Sequence, residues 1–358
     1  MKKTFRLITI CAALAALALP AFANEMLGPD SAIQDQCTDD NKRAWYESFT
    51  ATRTSNPTQA YEAAKKYLGA CPDDADEITA YLKKWVAAYD KEARKLRLPA
   101  LLYNDKKYAE AYALGREILA DEPENLKVLI DLGYGGFLAT TTAKNESFNN
   151  EAIGYARKAI QMIEAGKAPA EWLPFTSKDD ALAYLHYTVG FLTIKNNPSE
   201  ALSSLIKSAK YESKIKATPS TYYFIAAAYE AGPYAKLSAD YKARFEGKDE
   251  SPESKLALEN INQVIDRMID AYARAVALAG KEPANQASKN EWLQSLTEWY
   301  KFRNNQSDAG LNEMIAGILS KPLPAEPSPI TTLPAAAPAS TPTSGSASPV
   351  VRNAGRVA

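Results

Sequence analysis

The chain has 358 residues, with 42 Lys and Arg against 43 Asp and Glu, which gives a net charge of −1. This balance excludes a strongly basic nucleic-acid-binding surface and a polyacidic tail. The single histidine, His186, excludes a metal site built from several histidines.

The N-terminus has the composition of a secretory signal peptide. Basic residues in the first six positions are followed by the apolar run 7–19, which is too short to span a bilayer. We predict that residues 1–23 are a signal peptide cleaved after Ala23; a buried N-terminal helix is the alternative. Cys11 lies inside the apolar run and Asn24 is the first mature residue, so the sequence predicts a periplasmic or secreted protein that is not a lipoprotein.

Residues 38–320, which follow a short lead-in at 24–37, are predicted to be helical. Apolar residues recur there at the spacing of one helix face, and the alternating pattern of a β-strand is nearly absent. The prolines of this region mostly fall at the edges of the helical stretches, where they end a helix or begin one.

Two kinds of helix alternate along this region. One kind carries an alanine followed seven residues later by another small residue, as at Ala152 and Ala159, and a closing proline such as Pro123. The other kind carries large apolar residues, a small residue and an aromatic residue, as in 129–137. Small residues at these places let two helices approach closely.

This pattern resembles the tetratricopeptide repeat, a family of helix pairs. The resemblance implies an all-α fold, a right-handed α-solenoid of about six helix-turn-helix pairs. The key alanines are 51, 41 and 49 residues apart, against about 34 in the family, so the repeats are degenerate and a generic helical-hairpin solenoid is the alternative. The expected pairs are 38–71, 79–122, 125–165, 179–212, 218–280 and 289–320, with an extra short helix near 234–246.

Removal of the signal peptide leaves two cysteines, Cys37 and Cys71. They flank the first predicted helix pair, and the two ends of an antiparallel hairpin are neighbours. Because an exported protein meets an oxidising compartment, we predict a structural disulfide between them. A redox-active pair is the alternative, although the Cys-x-x-Cys spacing is missing.

The sequence offers no residue set with the spacing of a catalytic or metal site. We expect His186 to be a packed helix residue, because it lies inside an apolar run. Acidic pairs such as 179–180 come just before helices and are expected to cap them. The glycine pair 135–136 is expected to allow close helix packing or a kink. We therefore expect no cofactor, no metal and no enzyme activity.

The resemblance also implies a concave groove lined by the first helix of each pair. Mapping the family pattern onto this chain places aromatic side chains there, and they can grip an extended peptide or a sugar chain. The alternative is that most of them belong to the core between helices. The candidate groove residues are Trp45, Phe49, Tyr103, Tyr134, Phe137, Tyr184, Tyr187, Phe191 and Tyr223.

The C-terminal residues 321–358 hold eight of the 21 prolines and no aromatic residue. We expect a disordered tail or spacer, because such a composition buries too little apolar surface to offset the entropy of ordering.

These features favour a non-catalytic scaffold or adaptor in the bacterial cell envelope that binds a protein or peptide partner. The alternatives are a cell-wall-processing enzyme with a helical superstructure and a soluble periplasmic peptide- or glycan-binding protein. We expect no nucleic-acid partner and no membrane-spanning segment after signal cleavage.

Overall fold

The computed structural model describes residues 37–280 and 282–332. The predictions for the signal peptide at 1–23, for the lead-in up to residue 36 and for the tail from residue 333 onward lie outside the described residues. Within the described residues the chain forms helices and connecting turns, with no β-strand. The predicted all-α fold is confirmed.

The chain divides after Glu92 into two compact units. The first unit contains α1 (Asp39–Thr52), α2 (Pro57–Ala70) and the beginning of α3 (Glu77–Pro99). The second unit contains the end of α3 and the remaining helices. These are α4 (Tyr108–Asp121), α5 (Leu126–Ala143), α6 (Asn149–Glu164), α7 (Lys178–Thr193), α8 (Pro198–Ser208), α9 (Pro219–Tyr229), α10 (Ala235–Phe245), α11 (Pro252–Ala279), α12 (Gln286–Arg303) and α13 (Leu311–Gly317).

Helices of the second unit pack mainly against their neighbours along the chain. Helix α5 packs on α6, α7 on α8, α9 on α11, and α11 on α12, while α6 and α7 join one pair to the next. This is the arrangement of a helical repeat, in which each pair buries its apolar face against the following pair. Helix α10 lies between α9 and α11, where the sequence predicted an extra short helix.

Local signals set where the helices begin. The side chains of Asn56, Asn197 and Ser251 each accept a hydrogen bond from an amide of the first turn, and proline follows each of them. Proline suits this place because the first helical residue needs no amide donor. The sequence predicts the acidic pair 179–180 as the cap of α7, but the cap is Ser177. The pair lies in the first turn of the helix, where its negative charge meets the positive end of the helix dipole.

Glycine and alanine allow α5 and α6 to approach closely. A methyl group on Gly133 would lie 2.9 Å from the Cα of Ala156, and one on Gly136 would overlap the side chain of Ala152. The predicted close packing at the glycine-rich stretch is therefore confirmed at Gly136.

We expect Gly136→Ala to lower the free energy of unfolding by about 1–3 kcal/mol, because the added methyl group overpacks the contact with α6. The matched control is Gly154→Ala on α6, where no heavy atom outside the adjoining backbone of the same helix lies within 4 Å of the new methyl group. That change should be neutral or stabilise the helix by up to about 1 kcal/mol. Urea unfolding of both variants checks this, and equal midpoints would contradict the packing argument.

The predicted disulfide is present in the first unit. Cys37 and Cys71 are bonded, with their Cα atoms 5.3 Å apart and a separation of 34 positions in the chain. The bond joins the residues that flank α1 and α2, whose contact buries Phe49, Ala60 and Tyr67. Such a crosslink stabilises a small helical unit chiefly by restricting its unfolded state.

We expect the double variant Cys37→Ser/Cys71→Ser to lose about 2–4 kcal/mol of stability in the first unit, the usual range for a loop of this length. Thermal unfolding with and without dithiothreitol checks this, because reduction should destabilise the wild type and leave the double variant unchanged. Two free thiols in the exported protein, measured under denaturing and non-reducing conditions, would contradict it.

The segment from Lys321 to Thr332 differs from the predicted disorder. It is extended and hydrogen-bonded along α11; for example, the amide of Ile330 donates to Oδ1 of Asn260 at 2.8 Å. The composition of the segment keeps it from forming a core of its own. Polar side chains of a long helix can nevertheless bind its backbone carbonyls and order it.

Candidate binding surface

Aromatic rings of α5, α7 and α9 form a continuous row in the second unit. Ring centroids lie 5.3 Å apart between Phe137 and Phe191, and 5.2 Å apart between Phe191 and Phe224. These distances are typical of favourable aromatic pairs. We call the following residues the aromatic row: Tyr134, Phe137, Tyr184, Tyr187, Phe191, Tyr223 and Phe224.

The helical repeat places these rings together. On α7, Tyr184, Tyr187 and Phe191 follow at spacings of three and four, so they share one face of the helix. Helices α5, α7 and α9 are each the first member of their pair. Most rings of the row are partly exposed, so they combine contact with the core and access to solvent.

The row continues at one end onto α12. Trp292 stacks on Tyr223 at a centroid distance of 5.4 Å, and it is almost fully buried. Tyr223 also contacts Tyr272 of α11. The packing of this end therefore holds Tyr223 in place from two sides.

A buried carboxylate lies at the other end of the row. Asp131 of α5 has both carboxylate oxygens within 2.6 Å of Nζ of Lys127, and it accepts a hydrogen bond of 2.8 Å from the hydroxyl of Tyr103. Burial raises the pKa of Asp131, while Lys127 and the Tyr103 hydrogen bond act in the opposite direction. Burial beside this carboxylate holds the pKa of Tyr103 well above its usual value. The cluster fixes the Tyr103 ring against Tyr134, 6.4 Å between centroids.

The predicted groove residues are divided between the two units. Seven lie in the second unit, where six of them belong to the row and Tyr103 adjoins it. Trp45 and Phe49 lie in the first unit. Phe49 has no exposed surface and packs edge-on against Trp85, so it is a core residue rather than a groove residue.

Burial also distinguishes members of the row from one another. Tyr187 is only 4% exposed, and its hydroxyl lies 3.3 Å from that of Ser220, so its ring belongs mainly to the core. Sequence reasoning missed Phe224, which joins Phe191 to Tyr223. The sequence held a signal for Phe224, because this residue directly follows Tyr223, a predicted groove residue. Adjacent positions of a helix point about 100° apart, so only Tyr223 was assigned to the groove.

His186 packs in the interior of the second unit, as the sequence predicted. It is 4% exposed, its ring stacks on Tyr211, and its Nε2 has no hydrogen-bond partner among the described residues. Burial, helped by the positive charge of Lys207, lowers the pKa of His186 to about 4. The imidazole is therefore neutral at pH 7, and its contact with Glu164 at 3.8 Å is not an ion pair there.

This environment predicts a pH dependence of stability. In the unfolded chain His186 gains its proton near pH 6.5, whereas in the folded chain it does so only near pH 4. The unfolded state therefore binds more protons between these values, and stability falls as the pH is lowered through this window. The loss attributable to His186 should reach up to about 3 kcal/mol.

Urea unfolding from pH 7 to pH 4 of the wild type and of His186→Phe checks this prediction. The variant keeps a ring of similar size and cannot titrate, so the difference between the two proteins removes the contribution of the carboxylates. Parallel stability curves for the two proteins would show that His186 does not titrate as described.

One group of side chains in the described part of the chain is close enough to share a metal ion: Cys37, Cys71 and Asp74. The two sulfur atoms are bonded to each other, so neither is a thiolate able to bind a metal. Asp74 is already paired with Lys42. This cluster is therefore part of the crosslink of the first unit.

No family model matches this chain, and no curated protein or solved structure matches it. None of the helices in the described ranges combines the length and apolar character needed to cross a membrane.

Proposed function

We propose that this protein is a non-catalytic scaffold, built from tetratricopeptide-like helix pairs, that binds a protein or peptide partner along the aromatic row. The observation that carries the proposal is the unbroken series of ring contacts across α5, α7 and α9. Partly exposed rings on successive repeats offer a long chain the same kind of contact several times.

The physical properties of the row suit binding. Aromatic side chains supply a large apolar area with few rotatable bonds, so little conformational entropy is lost when a partner covers them. The rings are also held by each other and by Trp292, which keeps the surface in shape before a partner arrives. Preorganisation of this kind increases affinity.

The buried polar groups favour binding over catalysis. Asp131 has both oxygens engaged by Lys127 and Tyr103, and His186 is enclosed between helices. A general acid or base must reach a substrate atom within hydrogen-bond distance. Both groups instead have surroundings that suit a structural role.

We place the protein in the bacterial cell envelope, as a periplasmic or secreted protein. A disulfide between Cys37 and Cys71 fits an oxidising compartment. The basic and apolar pattern of residues 1–23, typical of a signal peptide, supports this proposal.

The test is affinity capture from envelope extract with the exported chain as bait. The intact mass of the exported chain should correspond to a start at Asn24. We expect Phe191→Ala/Tyr223→Ala to reduce the amount of specifically captured protein at least tenfold, because central aromatic contacts carry most of the binding energy. Both positions are partly exposed, unlike Tyr187. The matched control is Leu96→Ala, which alters a side chain that is 80% exposed and lies outside the row.

Equal capture by the wild type, the double variant and the control would show that the row is not the binding surface. Release of muropeptides from purified cell wall by the wild type would favour the enzyme alternative instead. Retention on immobilised glycan strands that is lost in the double variant would favour a glycan ligand for the same surface.

A further inference from the structure

A segment near the C-terminal end of the described chain lies along α11. We call Lys321–Ile330 the strap. Its backbone is bound by side chains on one face of α11, at helix spacings of three, four and seven residues. The donors to strap carbonyls are Asn260 (to Ile330, 3.0 Å), Gln263 (to Ser328, 3.1 Å), Arg267 (to Ala325, 2.6 Å) and Arg274 (to Lys321, 3.1 Å, and Pro322, 2.8 Å).

Three of the five accepting carbonyls have the spacing of a polyproline helix. Pro322, Ala325 and Ser328 are three residues apart, and a polyproline II helix has three residues per turn. Prolines in the strap restrict the chain to extended conformations and so lower the entropy lost on binding. Because α11 binds main-chain carbonyls, the same donors suit another extended segment that presents carbonyls at this spacing.

The donors belong to a site with a buried anchor. Arg274 is 4% exposed, and Asp270, one turn earlier, accepts a hydrogen bond of 2.6 Å from its Nε. Nη1 donates to the strap alone, and Nη2 donates to both the strap and the second carboxylate oxygen of Asp270. Leu323 packs against the core beside this anchor.

The strap does not fill the space around it. A cavity of about 510 Å³ lies between strap residues Pro327 and Pro329 and the helices α9, α10 and α11. Its wall includes the apolar side chains of Leu237, Leu256 and Val264. Larger side chains than those of the strap therefore have room in this site.

We propose that this face of α11 is a binding site for extended, proline-rich peptides. The strap occupies the site in cis. A proline-rich segment of another chain can replace the strap there. None of the donors belongs to the aromatic row. The two surfaces can therefore be tested separately.

The experiment measures binding of a fluorescent peptide with the strap sequence, KPLPAEPSPI, to the full chain. The strap in cis competes with the added peptide, so the wild type should bind weakly. Leu323→Asp places a charge against the core and should loosen the strap, raising the affinity for the peptide at least tenfold. Ile330→Pro, which removes the amide that donates to Asn260, loosens the strap in a second way.

The recognition itself is tested in the Leu323→Asp and Ile330→Pro backgrounds. Asn260→Ala removes one side-chain donor and one acceptor for the peptide and should weaken binding at least tenfold. The matched control, Asn262→Ala, alters an amide on the same helix that donates to Glu259 and should leave binding unchanged. A peptide with alanine in place of every proline should bind severalfold more weakly.

The proposal is overturned if neither loosened variant binds the peptide more tightly than the wild type. It is also overturned if Asn260→Ala and Asn262→Ala bind equally, or if the alanine peptide binds as well as the proline peptide. Partner capture through the aromatic row is measured with other variants, so failure of one proposal is distinguishable from failure of the other.

Discussion

The close approach of helices through glycine and alanine is the constraint on which the second unit depends. At Gly133 and Gly136 on α5, and at Gly190 on α7, a methyl group would come within 3 Å of the neighbouring helix. Because the small residues face the second helix of each pair, the large residues beside them point elsewhere. Tyr134 and Phe137 each follow such a glycine, and both lie in the aromatic row. Helix packing and the aromatic surface are thus two consequences of one sequence pattern.

The features that the sequence predicts well depend on local signals. Several helix starts follow from prolines at the edges of the helical stretches, and the disulfide follows from the two ends of one hairpin. The side chains that were misplaced depend on distant neighbours. Phe49 has the helical position of a groove residue, but packing against Trp85 leaves it no exposed surface. The position on a helix specifies a direction, and burial is decided by what lies in that direction.

The strap shows why composition alone could not predict the order at its position. Proline has no backbone amide donor but keeps its carbonyl acceptor, so the segment cannot supply hydrogen bonds for most of its own carbonyls. Order then depends on whether another part of the chain supplies donors. Helix α11 supplies them from Asn260, Gln263, Arg267 and Arg274. In the sequence those four residues have the pattern of an ordinary polar helix face. No local pattern indicates that they bind the strap, which lies about 50 to 70 positions later.

The buried charges of the second unit are used to position other groups. Asp131 holds Tyr103 beside the row, and Asp270 holds Arg274 toward the strap. In each case the charge is paired inside the protein, which offsets the cost of removing it from water. What remains for recognition is apolar ring surface in one place and hydrogen bonding to main-chain carbonyls in the other. Both kinds of contact depend on shape and contact area. This suits a chain whose positive and negative charges nearly cancel, because such a chain has little long-range electrostatic attraction for a partner.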